Sequence, residues 1–246
     1  MRIPLSDELG CRCPLTVFFL NFCFERLRCN VLGERYDAEC KTAIFDFECD
    51  GYEKLPQDLK DMDVGILSTS SHKICHFNRV NCTISYFVFS LQMLELVLPG
   101  MIKRNKGCVV NFSSMTGWRP LPYISAYPAS KAAISFFSDC LSDEFRHTNV
   151  RIQCLIPMLV ATKVASYEVD EANNLFVVTP ENYARQAVRA IGRFEILTGC
   201  VQHDVQIALG TLVSFWFFKL LYVPIIMLGV HKHRVAAYQR THQKDE

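Results

Sequence analysis

The sequence lacks an excess of charge of either sign. Lys and Arg total 26 against 25 Asp and Glu, for a net charge of +1 over 246 residues. Phosphate binding wants a basic surplus, so nucleic acid is not an expected partner. It also lacks any Cys-x-x-Cys pair. Its 12 cysteines are scattered, Cys11 and Cys13 being the only close pair. No metal site is expected from them. They read as reduced thiols, too sparse for a disulfide scaffold. Glycine is scarce at the start: only Gly10 and Gly33 precede Gly51. There is no internal repeat, low-complexity tract or linker. Apolar residues are not lacking. At 50% hydrophobic and 21% charged, the chain can bury a core, which excludes wholesale disorder.

Two apolar segments stand apart. Ile207–Val230 has 24 residues and one charge, Lys219. As a helix it would reach roughly 36 Å, enough to cross a bilayer as a span or to enter it as a re-entrant hairpin. Pro224 and Gly229 would interrupt it, and the His231–Arg234 cluster supplies a basic cytoplasmic flank. A buried hairpin in an oligomer is the other reading. Leu15–Phe24 is too short to span. It reads as a strand, an anchor remnant or a poor signal core, and no small-residue cleavage site follows it.

Strands and helices alternate between these segments. Short β-branched or aromatic runs predict strands at Ala43–Phe47, Val64–Leu67, Cys108–Phe112 and Val150–Ile156. Helical spacing predicts helices at Phe24–Tyr36, Tyr52–Lys60, Ile84–Arg104, Ser125–Arg146 and Pro180–Phe194. The alternation predicts an α/β fold, a doubly wound parallel sheet with helices on both faces.

The stretch from Gly107 to Lys131 carries chemistry. The strand Cys108–Phe112 delivers Ser113 and Ser114 at its C-terminal end, the edge where open α/β sheets bind ligands. Tyr127 lies thirteen residues after Ser114, and Lys131 four after Tyr127, on the same helix face. A free tyrosine titrates near pH 10. A nearby ammonium, here Lys131, is expected to stabilise the phenolate and lower that value. Ser114 is expected to hydrogen-bond a substrate oxygen beside the phenol. Such a trio supplies protons and no electrons, so it calls for a hydride carrier. Tyr-x-x-x-Lys alone is common on helices, and Ser-Ser after a strand is ordinary; their combination at this spacing is not.

The Tyr127-Pro128-Ala129-Ser130-Lys131 segment, with Ser114 in Asn111-Phe112-Ser113-Ser114, resembles the active-site region of the short-chain dehydrogenase/reductase family. Leu96–Met101, Pro157–Lys163 and Phe45-Asp46-Phe47 resemble one branch. That branch contains the microsomal 17β-hydroxysteroid dehydrogenases and very-long-chain 3-oxoacyl-CoA reductases, and nematode steroid dehydrogenases look closest. The likeness runs from about Phe24 to the C-terminus. It implies a Rossmann-like fold and a nicotinamide-dependent oxidoreductase interconverting a lipid or steroid ketone and alcohol. By the same resemblance Tyr127 is the acid/base, Ser114 also binds substrate, and Tyr127 and Lys131 contact the cofactor. Asp46 would accept from the adenine amino group and Thr162 would meet the nicotinamide carboxamide. NADP(H) is expected ahead of NAD(H). An endoplasmic reticulum membrane location with a cytoplasmic catalytic side is implied, and a homodimer is compatible with it. The chain then divides into a divergent N-terminal segment (1–23), a shortened dehydrogenase domain (24–206), a membrane-associated segment (207–230) and a basic polar tail (231–246).

The sequence also departs from that pattern. The family's Gly-x-x-x-Gly-x-Gly turn cannot be built from Gly10 and Gly33. The first strand, the glycine turn and its helix are therefore expected to be absent, and NADPH binding by the chain weak. Ile66-Leu67-Ser68-Thr69-Ser70-Ser71 replaces an Asn-Asn-x-Gly segment. The family's active-site asparagine has no counterpart: its place falls on Tyr86, with Asn81 five residues away. The sequons at Asn81 and Asn111 read as accidental. Two other readings follow: a non-catalytic binding or scaffold relative that lost its cofactor, or a shortened product of a longer enzyme.

Overall fold

A computed structural model describes residues 16–20, 39–43, 59, 62–69, 80–119, 125–161 and 176–222. In chain order these form strands β1 (Thr16–Leu20), β2 (Glu39–Ala43) and β3 (Val64–Thr69), helix α1 (Val80–Arg104) and strand β4 (Gly107–Phe112). A 3-10 turn (Met115–Gly117), helix α2 (Ala126–Glu144) and strand β5 (Val150–Leu155) follow. Helix α3 (Pro180–Ala190), strand β6 (Ile196–Leu197) and helices α4 (Val201–Thr211) and α5 (Phe215–Tyr222) complete the described chain. The six strands form one parallel sheet in the order β2-β1-β3-β4-β5-β6. The chain runs outward from β1 to β2, then resumes on the other side of β1 with β3. That reversal opens a crevice at the C-terminal ends of β1 and β3, where doubly wound sheets take their ligands.

The middle strands are rich in apolar residues because both of their faces are covered. All six residues of β4 are buried. On one face Leu67, Val109, Val150 and Ile152 pack against Phe89, Met93, Val97 and Met101 of α1, with Phe137 and Leu141 of α2 closing the edge. α1 runs through Pro99 to Arg104, and Lys103 and Arg104 in its last turn suit the negative end of the helix dipole. α3 starts at Thr179, whose hydroxyl accepts from the Asn182 N–H, with Pro180 in its first turn.

Several expectations change. Thr16–Leu20 is a strand between β2 and β3, so the sheet has a first strand beside the crevice and reaches back past the limit expected at Phe24. Five residues carrying Val17, Phe18, Phe19 and Leu20 suffice for this slot. β2 covers Glu39–Ala43 and meets the expected Ala43–Phe47 only at Ala43. α3 ends at Ala190 rather than Phe194, because Gly192 turns the chain at φ 78°. The short strand β6 follows, unanticipated. The helices expected at Phe24–Tyr36 and Tyr52–Lys60 lie outside the described residues, apart from Leu59. So do Asp46, Thr162 and the side chain of Tyr86.

Ile207–Val230 is described as far as Tyr222 and is not one helix over that stretch. α4 ends at Thr211, and the Ser214 hydroxyl accepts from the Phe217 N–H to begin α5 anew. Among the described residues no helix is long and apolar enough to cross a membrane.

Candidate active site

β4 ends one residue before the candidate site. Ser113 stays tied to the sheet, its N–H donating to Leu155 O at 2.8 Å and its hydroxyl to Lys131 O at 2.7 Å. Ser114 is extended at φ −157° and caps the 3-10 turn. Its hydroxyl accepts from the Thr116 N–H at 3.3 Å and the Thr116 hydroxyl at 3.1 Å. The turn sits directly on α2: a Cβ on Gly117 would lie 2.8 Å from the Ala132 nitrogen and 2.9 Å from the Lys131 carbonyl carbon. Only a residue without a side chain allows that approach. Ser114 is thereby held against the first turn of α2, which carries Tyr127.

Ser114, Tyr127 and Lys131 converge here. The Tyr127 hydroxyl is enclosed by protein and meets the Ser114 side chain. The Lys131 ammonium lies 5.7 Å from the Tyr127 ring centroid and donates to Phe112 O at 2.8 Å. Lys131 is 2% exposed. Burial dominates the electrostatics of both groups. It pushes the Tyr127 hydroxyl above its ordinary value, with the Ser114 hydrogen bond acting in the opposite sense. It pushes Lys131 down to about 7, the Cys154 thiol raising it slightly. The expectation that Lys131 lowers the tyrosine is therefore overturned. Desolvation disfavours the charged form of each, so both groups are driven toward their neutral forms before any charge partner acts. A neutral phenol is a proton donor, the form needed to protonate a carbonyl oxygen.

A buried polar network that sequence reasoning missed supports the trio. α2 turns Lys131, Ser135, Ser138 and Ser142 toward the sheet, all buried. Ser135 donates to the Ser113 hydroxyl at 2.7 Å. Asn111 on β4 donates to Ser138 at 3.0 Å and accepts from Thr69 on β3 at 2.9 Å. The available signal was serine at i+4, i+7 and i+11 from Lys131, a helix face too polar to pack by apolar contact alone. Asn111 is 0% exposed, so its sequon is inaccessible in the folded chain. Among the described residues no three His, Cys, Asp or Glu side chains cluster to hold a metal.

The sequence pattern of the short chain dehydrogenase family matches residues 65–173, the span that contains β3, β4, α2 and the whole trio. The bovine very-long-chain 3-oxoacyl-CoA reductase is 30% identical over 217 residues, covering 83% of this chain and 67% of that protein. This chain belongs to the short-chain dehydrogenase family. The mouse very-long-chain 3-oxoacyl-CoA reductase is 29% identical over 206 residues, 78% of this chain and 65% of that protein. The chain thus spans about two thirds of the length of these relatives. Among solved structures, a 3-oxoacyl (acyl-carrier-protein) reductase from Agrobacterium tumefaciens with NADP bound superposes with a TM-score of 0.61 at 17% identity, over 75% of this chain and 93% of that one. That likeness is one of fold.

The donor set fits the nicotinamide end of a dinucleotide. It comprises a buried ammonium, a phenol and a serine hydroxyl at the C-terminal edge of the sheet, beside the strand reversal. The Ser68 hydroxyl, buried near the end of β3 without a hydrogen-bond partner, is a further polar group at that edge. The phosphate end is less well served: after β1 no glycine occurs before Gly33 to bring backbone amides close to a pyrophosphate.

Proposed function

We propose that this chain is a nicotinamide-dependent oxidoreductase that interconverts a ketone and an alcohol on a lipid chain, a 3-oxoacyl thioester or a steroid. The convergence of Ser114, Tyr127 and Lys131 at the mouth of β4 carries the reading. NADP(H) is the favoured cofactor, supported by the resemblance of the branch, and it supplies the hydride when bound. Lys131 and Tyr127 hold its ribose hydroxyls, with Asp46 and Thr162 assigned to the adenine and carboxamide ends by that resemblance.

The chain's own residues handle the proton. Ser114 donates to the substrate carbonyl oxygen and keeps it beside the phenol. Tyr127, neutral because it is buried, delivers its proton to that oxygen as the carbon is reduced. The phenolate that remains draws on the Lys131 ammonium, and a lysine poised at about 7 releases and regains a proton readily near neutral pH. In the oxidative direction the same groups take the proton from the alcohol.

The α4–α5 segment fits a lipid substrate. Val201, Val205, Leu209, Leu212, Trp216 and Leu220 are exposed along it, more apolar surface than a soluble face carries by chance. We assign this segment, with the residues to Val230, to contact with the endoplasmic reticulum membrane. The dehydrogenase portion then extends from β1 to about residue 206, with 231–246 as a polar tail.

Titration of the purified chain with NADPH, followed by nucleotide fluorescence, tests the proposal. Millimolar binding is expected. Without backbone amides on the pyrophosphate, about a thousandfold in affinity is lost relative to a micromolar site. Absence of any binding up to about 10 mM would favour the non-catalytic scaffold reading.

A further inference from the structure

We propose that His203, in its neutral form, is a positioning residue for the Pro157–Ala161 segment and, through it, for the turn that holds Ser114. His203 is 0% exposed. Its Nδ1 accepts the Met158 N–H at 3.3 Å, and its Nε2 lies 3.2 Å from Leu159 O. A single tautomer satisfies both contacts, with the proton on Nε2. The ring thus bonds the Pro157–Met158 and Leu159–Val160 peptide groups of the segment that leaves β5. The first of these peptides is also bonded to the candidate site: Met115, next to Ser114, donates its N–H to Pro157 O at 3.2 Å. The route from α4 to Ser114 is therefore one imidazole and two peptide units.

The same segment is braced from its other side. Ala161 N–H donates to Val178 O at 2.9 Å, and Val178 N–H to Leu159 O at 3.1 Å. Leu159 O accepts from both sides, so its position is set by His203 and by the Val178 strand together. The imidazole is itself held. Tyr183 of α3 lies 5.7 Å from it, ring to ring, and donates to Thr198 O at 3.0 Å. Gly199, at φ 92°, leaves room for that tyrosine: a Cβ there would fall 2.5 Å from its hydroxyl oxygen.

Protonation of His203 would put a hydrogen on Nδ1, facing the Met158 N–H. One bond becomes a repulsion, and the segment must shift. Asp204 of α4 acts on the ring and Tyr183 of α3 lies beside it, the Cys200 thiol meets the His203 backbone rather than the ring, and Pro157–Ala161 contributes no titratable side chain. Asp204, which favours protonation, is engaged by the Thr198 hydroxyl at 2.6 Å. Burial opposes protonation and holds His203 below its ordinary value. The clamp is therefore closed at neutral pH and opens in acid.

The effect on cofactor and substrate rests on the oxidoreductase reading; the clamp itself does not. Amide hydrogen exchange resolved to single residues, corrected for intrinsic rates, is measured between pH 5 and 8 on the full chain and on His203→Gln and His203→Asn. Met158 and Met115 amides are expected to exchange about tenfold faster in His203→Gln at pH 7.5, the loss of one net hydrogen bond. Amides of β4 and α1 should stay unchanged. Wild-type Met158 should lose protection as pH falls, and the variants should lose that dependence. His203→Asn, whose short amide can take the Nδ1 position, should recover part of the protection. In parallel, His203→Gln should raise the KM for a long-chain 3-oxoacyl-CoA at least about tenfold with a smaller change in kcat, a loss mainly of binding. Unchanged exchange at Met158 and Met115 would overturn the clamp. Altered exchange in a chain that binds no NADPH would retain the clamp and remove the oxidoreductase reading.

Discussion

Replacing Lys131 by Met should make the protein more stable, and more so at neutral than at alkaline pH. Lys131 is buried, and its value falls from an ordinary 10.5 to about 7. Each pH unit of that difference corresponds to about 1.4 kcal/mol, so carrying this side chain into the fold costs about 5 kcal/mol at and below pH 7. The sign follows from proton counting. Between pH 7 and 10.5 the unfolded chain holds a proton the folded chain has released, so wild-type stability rises with pH across that window. A methionine does not titrate. It forgoes the bond to Phe112 O, about 1 kcal/mol, and keeps most of the buried apolar volume. The net gain at pH 7 is about 3 kcal/mol, shrinking by about 2 kcal/mol by pH 9. Urea unfolding of both proteins at pH 6.5, 8 and 9 reads this directly, because every other titrating group is common to the pair. An equal difference at pH 6.5 and pH 9 would refute the reasoning, since it would mean the ammonium stays charged inside the fold.

Other consequences are open to the same kind of test. Gly117→Ala forces a Cβ into the backbone of α2; it should lower unfolding stability by about 1–3 kcal/mol and disturb Ser114, measurable by urea midpoint together with turnover. Asn111→Ala leaves Ser138 and Thr69 without their shared partner in the interior; a loss of about 2–4 kcal/mol is expected in denaturant titrations. Trp216→Ser with Leu220→Ser removes exposed apolar surface from α5; sedimentation with phosphatidylcholine vesicles should fall at least about fivefold while NADPH binding is unchanged.

The centre of the sheet was legible in the sequence because β3, β4 and β5 are short runs rich in apolar and β-branched residues and almost wholly buried, Arg151 being the exposed position in β5. The edges were not. β2 carries Glu39, Lys41 and Thr42, an edge strand's polar content, and it was passed over for the more apolar Phe45-Asp46-Phe47. β6 has two residues, too few for any period, and was passed over. β1 was an ambiguous apolar patch because its role depends on pairing with β2 and β3, which lie far along the chain. The trio was legible because its spacing is local to one strand, one turn and one helix. Asn111, Ser135 and His203 were not, since each acts through partners 22 to 45 residues away. The direction of the Tyr127 and Lys131 shifts was missed for a related reason: a charge pair can be read from spacing, whereas the depth of burial that outweighs it comes only with the packed fold.

The central claim is that Tyr127 gives the proton while a nicotinamide gives the hydride. The most direct measurement is a single turnover with enzyme in excess, millimolar NADPH deuterated at C4, and a long-chain 3-oxoacyl-CoA in detergent, with the product examined by mass spectrometry. The wild-type chain should yield the 3-hydroxyacyl product carrying one deuterium on its carbinol carbon. At saturating NADPH, Tyr127→Phe should slow that transfer by about a hundredfold or more. Transfer at an undiminished rate in Tyr127→Phe, or no deuterium transfer by a wild-type chain that binds NADPH and the thioester, would contradict the account.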